Sequence, residues 1–250
     1  MTRYSFLLLL LYLLPYPILG QTIITTDTTL TQDHIGSIII DADGITLDCG
    51  GFTVSGTGSG NGIALDNKTG VTVKKCNVEG FNHGFRIDDS NYNTFTQNIS
   101  ENNFGFPLHG FRISDSNHNT FTQNISEHNG EFGFGITNSD NNTFIQNISG
   151  NNGEFGWGFG IAFSDNNTFT QNISEHNGEF GFRISDSDGN TFTENTSSGN
   201  GVNGFLVTGT STLNAFRENE GFGNGIFDAE DQTGMDNIWE DNDFGTTSGF

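Results

Sequence analysis

The sequence predicts an all-β solenoid, a parallel β-helix, and three observations support this fold. The octapeptide Asn-Thr-Phe-Thr-Gln-Asn-Ile-Ser occurs three times, beginning at Asn93, Asn119 and Asn167, and close variants begin at Asn142 and Asn190. Successive copies start 23 to 26 residues apart, a period typical of solenoid coils. Each copy follows a short Gly-Phe-x-Ile segment, and both segments alternate in polarity with a period of two, as strands do.

The connections between these segments fit the same fold. They consist mainly of Ser, Asp, Asn and Gly, which are turn residues. Two or three short strands in about 24 residues predict one coil of a β-helix, and the chain length predicts about eight to ten such coils. A leucine-rich repeat has a similar period, but leucine is nearly absent after the first residues of the chain. The Gly-Gly-x-Gly-x-Asp motif of calcium-binding nonapeptide repeats is not present.

Stacking the coils in register turns each repeated position into a column, with neighbours about 4.8 Å apart. Two phenylalanine columns are the predicted core and account for much of the total of 25 Phe. Two asparagine columns are predicted to be structural, because Asn tolerates left-handed backbone at a turn and can bond its neighbour in the next coil. The phenylalanine columns are Phe85, Phe111, Phe134, Phe159, Phe182, Phe205 and Phe95, Phe121, Phe144, Phe169, Phe192, Phe216, Trp239; the asparagine columns begin at Asn93 and Asn98.

The chain begins with a segment that resembles a secretory signal peptide. Arg3 precedes an apolar stretch, Phe6 to Leu14, that is too short to span a bilayer. We therefore expect a secreted, periplasmic or cell-surface protein with no integral membrane segment after signal removal. The predicted organisation is a signal peptide at 1–20, an N-terminal cap and first coil at 21–60, β-helix repeats at 61–243 and a C-terminal tail at 244–250.

The net charge limits the classes of binding partner, and the cysteine content indicates the cellular compartment. The formal net charge of −22 argues against nucleic acid or an anionic membrane surface as a partner. The two cysteines, Cys49 and Cys76, are 27 residues apart, which is close to one coil. In an exported protein we expect a disulfide between them that staples the N-terminal region. We expect the protein to be a monomer.

The first coils and the repeat array together resemble a known family. Residues 45–65 read ITLDCGGFTVSGTGSGNGIAL, residues 70–81 read GVTVKKCNVEGF, and the Gly-Phe-x-Ile and Asn-Thr-Phe array follows. This pattern, over roughly residues 22–243, resembles the right-handed parallel β-helix proteins of the NosD-like, carbohydrate-binding and sugar-hydrolase type. The resemblance implies a right-handed coil and an exported protein that handles polysaccharides or, as in NosD itself, assists copper delivery to nitrous oxide reductase.

The catalytic motifs of related β-helix enzymes transfer poorly to this sequence. The Asp-Pro-His motif of mannuronan epimerases is missing. The sequence motifs that a polygalacturonase active site would need are present only in part. Asp88-Asp89 is there, but His83-Gly84 and Arg86-Ile87 occur in the wrong order. The resemblance therefore carries over no catalytic residue.

The first candidate site is a cluster on two early coils. Alternation predicts that Arg86, Asp88 and Arg112 face outward, and stacking places His83 over His109. Paired arginines could hold an acidic sugar, since the guanidinium matches a carboxylate in a fork. As candidate catalytic residues, Asp88, His109 and Arg112 could instead supply a general base beside a histidine. Alternatively, Asp88 could bind calcium or serve only to relieve the repulsion between the two stacked arginines.

The second candidate is a regular array of threonines on the strands of the octapeptide. Its outward hydroxyl and methyl groups resemble the ice-binding faces of β-solenoid antifreeze proteins. The ordinary alternative is β-propensity, because Thr is a favoured outward strand residue. The candidate ligand-binding threonines are Thr94, Thr96, Thr120, Thr122, Thr168 and Thr170.

Metal binding has weaker support in the sequence. Soft copper sites use Met and Cys, but after signal removal Met235 is the only methionine and both cysteines are assigned to a disulfide. Acidic residues spaced along the turns could collect calcium, and a solvated acidic face explains them equally well. We therefore expect no required cofactor, with calcium as the ion to test.

The repetition favours binding or scaffolding over catalysis, because a catalytic site needs one asymmetric constellation. We expect the protein to bind carbohydrate or polysaccharide on a sheet face without catalysis. The alternatives are a polysaccharide lyase, hydrolase or epimerase, an ice-binding solenoid, and a NosD-like accessory protein for copper maturation.

Overall fold

A computed structural model shows three parallel sheets wound into one solenoid and describes residues 20–104 and 109–249. Sheet A has 11 strands, and sheets B and C have 10 strands each. Every strand pairing is parallel, so the predicted parallel β-helix is confirmed, within the expected number of coils. The proposed signal peptide lies outside the described residues, apart from Gly20. Within the described ranges, no helix is long and apolar enough to cross a membrane.

The strands follow one another in threes, one for each sheet. In chain order they are β1 (Thr22–Ile24), β2 (Thr28–Thr29), β3 (His34–Ile35), β4 (Ile38–Ile40), β5 (Thr46–Asp48), β6 (Thr53–Ser55), β7 (Asn61–Asp66), β8 (Thr72–Lys74), β9 (Asn77–Glu79), β10 (His83–Asp88), β11 (Thr94–Thr96), β12 (Ile99–Glu101), β13 (His109–Ser114), β14 (Thr120–Thr122), β15 (Ile125–Glu127), β16 (Phe132–Thr137), β17 (Thr143–Ile145), β18 (Ile148–Gly150), β19 (Phe159–Ala162), β20 (Thr168–Thr170), β21 (Ile173–Glu175), β22 (Phe182–Ser185), β23 (Thr191–Thr193), β24 (Thr196–Ser198), β25 (Asn203–Thr208), β26 (Ala215–Arg217), β27 (Glu220–Phe222), β28 (Phe227–Asp231), β29 (Ile238–Glu240), β30 (Asp243–Phe244) and β31 (Thr247–Ser248). Sheet A contains β1 and every third strand after it, sheet B begins with β2, and sheet C begins with β3.

The predicted phenylalanine columns form the core. Phe85 and Phe111 stack with ring centroids 4.4 Å apart, and Phe95 and Phe121 stack at 5.0 Å. The two columns meet edge to face, for example Phe85 against Phe95 at 6.3 Å. These four rings are fully buried. Edge-to-face and offset contacts of this kind add to the stabilisation from burial itself, so the ring columns hold sheets A and B against each other.

The asparagine columns are buried ladders, as the sequence analysis predicted. The backbone N–H and the side-chain NH2 of Asn124 both donate to Oδ1 of Asn147, at 2.9 Å and 3.0 Å, and the same NH2 donates to the carbonyl of Phe95. A third ladder, which the sequence analysis did not identify, includes Asn103 and Asn129. Each ladder therefore satisfies the turn backbone of one coil with a side chain of the next, as buried polar groups require.

The left-handed backbone lies elsewhere than the sequence analysis assumed. It belongs to the residue before each asparagine of the second column, such as Gln97 with φ 55° and Gln123 with φ 55°. The asparagines themselves are held by their inward hydrogen bonds, so their role is amide pairing rather than tolerance of positive φ.

The glycine of each Gly-Phe-x-Ile segment makes room for a buried serine of sheet C. A Cβ on Gly133 would lie 1.8 Å from Oγ of Ser149. The Ser126 hydroxyl donates to the carbonyl of Gly133 at 2.8 Å, and the Ser149 hydroxyl donates to Gly158 at 2.9 Å. The two repeated segments are therefore coupled, because each Ser fits into the space left by the Gly of its own coil and donates to the carbonyl of the Gly in the following coil.

The N-terminal coils are cross-linked as predicted. Cys49 and Cys76 form a disulfide between adjacent coils with their Cα atoms 4.7 Å apart. Both cysteines are fully buried. Residues 22–55 contribute β1 to β6 to the same three sheets, and the domain boundary at residue 60 stays a prediction.

Replacing Asn147 by Ala removes an amide that accepts two hydrogen bonds and donates two, to Phe121 and Asn172. Because several buried partners lose their bonds, we expect the free energy of unfolding to fall by about 3 kcal/mol or more. Urea unfolding, monitored by circular dichroism, measures this free energy. The control is Gln146→Asn, which changes the exposed preceding residue and should cost under about 1 kcal/mol. Equal losses in the two variants would contradict the structural role of the ladder.

Replacing both Cys49 and Cys76 by Ala opens a loop of about one coil, which should cost about 3–4 kcal/mol. Because each coil contacts only its neighbours, the loss should be local. Hydrogen exchange should accelerate in β4 to β9 and stay unchanged in β20 to β26. Uniform acceleration along the chain would show that the solenoid unfolds as one cooperative unit instead.

Candidate functional site

The first candidate cluster lies on the outward face of sheet A, as predicted. In the pairing of β10 with β13, His83 lies opposite His109 and Arg86 lies opposite Arg112. Nη2 of Arg86 and Nη1 of Arg112 each donate to one carboxylate oxygen of Asp88. Asp88 therefore bridges the stacked arginines and offsets one of their two charges, and its role toward a ligand stays a prediction.

The two histidines of the cluster pack against each other. Their ring centroids are 5.1 Å apart, and Nδ1 of each imidazole is buried without a hydrogen-bond partner among the described residues. Burial and the charges of Arg112 and Arg86 lower the pKa of His83 to about 4. Burial, His83 and Arg112 lower the pKa of His109 to about 3. Both imidazoles are therefore neutral at pH 7.

The histidines begin a row of rings along the outward face of sheet A, which we call the aromatic row. Phe132 continues it from His109 at 4.8 Å, and Trp157 stacks on Phe132 at 4.4 Å. Phe180 packs edge to face on Trp157 at 5.7 Å. Phe132 and Trp157 stack face to face, whereas the other neighbouring rings of the row meet tilted or edge to face. The full row is His83, His109, Phe132, Trp157, Phe180, Asn203 and Phe227.

A second row, the arginine row, runs beside the aromatic row. Its members are Arg86, Arg112, Gly135, Gly160, Arg183, Leu206 and Glu230. The two glycines leave room for the rings, because a Cβ on Gly135 would lie 2.4 Å from Cδ2 of His109 and one on Gly160 would lie 2.9 Å from Cε3 of Trp157. The Arg183 guanidinium then lies 4.6 Å from the centroid of the Trp157 ring.

The aromatic row is interrupted at Asn203, and a groove of about 530 Å³ opens there. Phe180 and Phe227 lie at the two ends of the groove, and Leu206 is part of its floor. A second groove of about 500 Å³ lies near the start of the same face, where Lys68 pairs with Asp41 at 3.1 Å. Both grooves are large enough for a small-molecule ligand. The sequence analysis missed the C-terminal groove, although the replacement of an aromatic residue by Asn203 was a visible signal.

The second candidate, the threonine array, lies on sheet B in the predicted grid. Thr94 pairs with Thr120 and Thr96 pairs with Thr122, and the pattern continues through β17, β20 and β23. Ile145 interrupts one column, and Arg217 ends it. The array faces away from the two grooves, and its function as a ligand surface stays a prediction. The grid includes the expected Thr168 and Thr170.

Metal ligands are not assembled in the part of the chain that the structure describes. No group of three or more His, Cys, Asp or Glu is arranged there to hold an ion. Of the six histidines, the structure brings His83 and His109 together, while His118 stacks on Tyr92 at 4.8 Å. Calcium stays a prediction to be tested in solution.

The depressed histidine pKa values predict acid sensitivity. Unfolding returns both imidazoles to a pKa near 6.5, so below that pH the unfolded chain binds more protons than the folded one. The free energy of unfolding should therefore fall as the pH drops from about 6.5 toward 3–4, by up to about 1.4 kcal/mol per pH unit for each histidine.

His109→Phe, which places the residue of the next coil at this position, should flatten this slope relative to the original protein. Urea midpoints measured at intervals between the two pH values give the slopes. His176→Asn is the control, since His176 is exposed and a neighbouring coil has Asn at the same position. A slope unchanged by His109→Phe would show that other groups carry the acid sensitivity.

Comparison with solved structures finds the same fold in proteins of low sequence identity. The periplasmic alginate epimerase AlgG superposes with a TM-score of 0.66 at 15% identity, over 83% of this chain and 51% of that one. Pectate lyase Pel9A superposes with a TM-score of 0.54 at 16% identity, over 92% of this chain and 68% of the lyase chain. Tailspike protein 2 of the Escherichia coli O157:H7 bacteriophage CAB120 gives 0.60 at 15% identity over 79% and 34%. This chain therefore spans about half the length of the epimerase and a third of the tailspike.

Sequence comparison identifies the family. Comparison with curated proteins gave no significant match. The family described as right-handed β-helix region matches residues 61–221, which is more than half of the chain. The strand order and the parallel pairing of the three sheets agree with that match. The chain belongs to the right-handed β-helix family.

Proposed function

We propose that this protein binds a polysaccharide along the outward face of sheet A. The observation that carries the proposal is the continuity of this face. Two grooves, of about 500 Å³ and about 530 Å³, lie toward its two ends, and the aromatic and arginine rows join them. Consecutive coils repeat each position about every 4.8 Å, so a linear polymer along this face can contact the two rows over several successive coils.

The structural neighbours support this proposal at the level of chemistry. Two of the three are described as an alginate epimerase and a pectate lyase, which are enzymes of polysaccharides. At 15–16% identity the likeness shows the fold alone. The support is therefore that the same solenoid carries polysaccharide sites in other proteins.

We also propose that the protein works outside the cytoplasm. The support is the buried disulfide between Cys49 and Cys76, since such bonds persist in oxidising compartments. The apolar N-terminal segment is consistent with export. A glycan of the cell surface or the medium would be accessible to a protein in this location.

Catalysis at Asp88, His109 and Arg112 is the second candidate function. The observation that favours it is the Asp88 carboxylate held between the Arg86 and Arg112 guanidinium groups, because a positioned carboxylate can act as a general base. An arginine nearby could stabilise the negative charge that then develops on a sugar. Product formation distinguishes this candidate from binding alone.

Blocking the face of sheet A should abolish retention on polysaccharide. Ala162 lies outward on β19, so Ala162→Trp places a large ring across the path of the polymer. We expect affinity to fall by about tenfold or more, measured by affinity electrophoresis through gels that contain neutral or acidic polysaccharides. Thr170→Trp is the matched control, because Thr170 lies in the same coil but on sheet B.

The outcomes separate the candidate functions. If Thr170→Trp loses polysaccharide binding while Ala162→Trp keeps it, the binding site is the threonine array rather than sheet A. Failure of the original protein to bind any polysaccharide of the panel would overturn the proposal. New reducing ends, unsaturated products or altered uronate stereochemistry in the same samples would establish an enzyme.

A further inference from the structure

The interruption of the aromatic row forms a small site of its own. Phe180 and Phe227 are separated by two coil steps, about 10 Å along the axis, with Asn203 between them. Asn203 is only 2% exposed and does not fill the space of a ring. The resulting groove of about 530 Å³ is within the usual size of a ligand pocket.

Beside the interruption, the arginine row places Arg183, Leu206 and Glu230 in successive coils. Leu206 lies beneath the groove and is only 5% exposed, so the apolar surface within reach of a ligand is that of the half-exposed rings Phe180 and Phe227. The site is therefore a grid of two rows by three coils, with aromatic walls at both ends. One polar group stands at each end of this three-coil stretch of the arginine row, a donor at Arg183 and an acceptor at Glu230.

Both polar groups are held in place before any ligand arrives. Nδ2 of Asn203 donates to Oε2 of Glu230 at 2.7 Å. The Arg183 guanidinium packs on the Trp157 ring at 4.6 Å, and among the described residues it donates no hydrogen bond and lies within 4.0 Å of no carboxylate. Its N–H groups are therefore free to donate to a ligand, and preorganisation reduces the entropy cost of binding.

The charges around this site disfavour an anionic ligand. Glu230 carries a negative charge two coils from Arg183 along the same row, and Glu179 accepts a hydrogen bond from Nε1 of Trp157 at 2.9 Å. The negative charges of Asp186 and Glu179 act on the Arg183 guanidinium. The surroundings of Arg183 are thus net negative, in a chain of net charge −22. A carboxylate on the ligand would meet this field, whereas uncharged hydroxyl groups can accept from Arg183 and donate to Glu230.

We propose that the groove between Phe180 and Phe227 binds one uncharged pyranose unit of the polysaccharide. The apolar side of the sugar packs against the rings of Phe180 and Phe227, one hydroxyl accepts from Arg183, and another donates to Glu230. This inference rests on the proposed function and specifies its ligand, a neutral polysaccharide rather than a polyuronate. The Arg86–Asp88–Arg112 cluster is then a neighbouring part of the path rather than a receptor for sugar carboxylates.

Trp157 provides a direct optical signal for this site. The chain has two tryptophans, so Trp239→Phe leaves Trp157 as the only one, and Phe is the residue at this position in the preceding coil. Titration of that protein with hexamers of glucose, mannose or galactose should change the Trp157 fluorescence. Hexamers of galacturonate and mannuronate should bind at least about tenfold more weakly.

Asn203→Phe in the same background is the decisive variant, because it continues the aromatic row and fills the site. We expect it to weaken binding of the neutral hexamer by about tenfold or more. Arg183→Gln and Glu230→Gln should each weaken the same hexamer by about tenfold. Ile173→Phe on sheet C is the matched control and should bind as before, and circular dichroism of every variant checks the fold.

The results separate this inference from the function on which it rests. If uronate hexamers bind more tightly than neutral hexamers, and Arg183→Gln abolishes this binding, the neutral-sugar inference is overturned. The proposal of polysaccharide binding would then still stand. Neutral binding that survives Asn203→Phe would place the sugar elsewhere on the face and overturn the site. Binding of no hexamer and no polymer would overturn both proposals.

Discussion

Each coil of this solenoid depends on the next one for its buried hydrogen bonds. The inward amide of an asparagine such as Asn124 accepts the backbone N–H of the coil before it, and its own N–H reaches the amide of Asn147 in the coil after it. A slip of one residue between coils would turn the ladder outward and leave these buried groups unpaired. Register is therefore fixed at three turns in each coil, and a repeated residue must become a column.

Variation in coil length must fall outside the stretch that the three ladders define. The three ladders keep the same separations between successive coils, for example 26 residues from Asn98 to Asn124 and from Asn103 to Asn129. The coil from Asn142 to Asn167 has its extra residues before β19, and the coil from Asn190 to Asn214 has one after β25. Both strands belong to sheet A, so this irregularity adjoins the strands that carry the aromatic and arginine rows.

The exterior of sheet A differs from the interior because no ladder restricts it. Inside, Phe85 and its successors repeat with little change, since any change of volume is felt in a close-packed core. Outside, the same coils carry His, Phe, Trp and Asn in one row and Arg, Gly, Leu and Glu in the other. The Arg86–Asp88–Arg112 cluster stands beside the groove at one end of this face, and the groove at Asn203 opens at the other. Function in a repetitive chain is best sought where a column changes its residue type.

The parallel solenoid, the phenylalanine core, the disulfide and the pairing of Arg86 with Arg112 can all be predicted from the amino-acid sequence, because each follows from a period and a register. For Asp88, the sequence is compatible with several roles, of which bridging the two arginines is one. The sequence did not reveal the third asparagine ladder or the left-handed backbone at Gln97, because these depend on which turn residue points inward. Only the tertiary structure showed that Arg183 packs on Trp157 and that Asn203 opens a groove before Phe227. Those features depend on side chains from different coils and on which ring faces are covered, and a one-dimensional repeat does not contain that information.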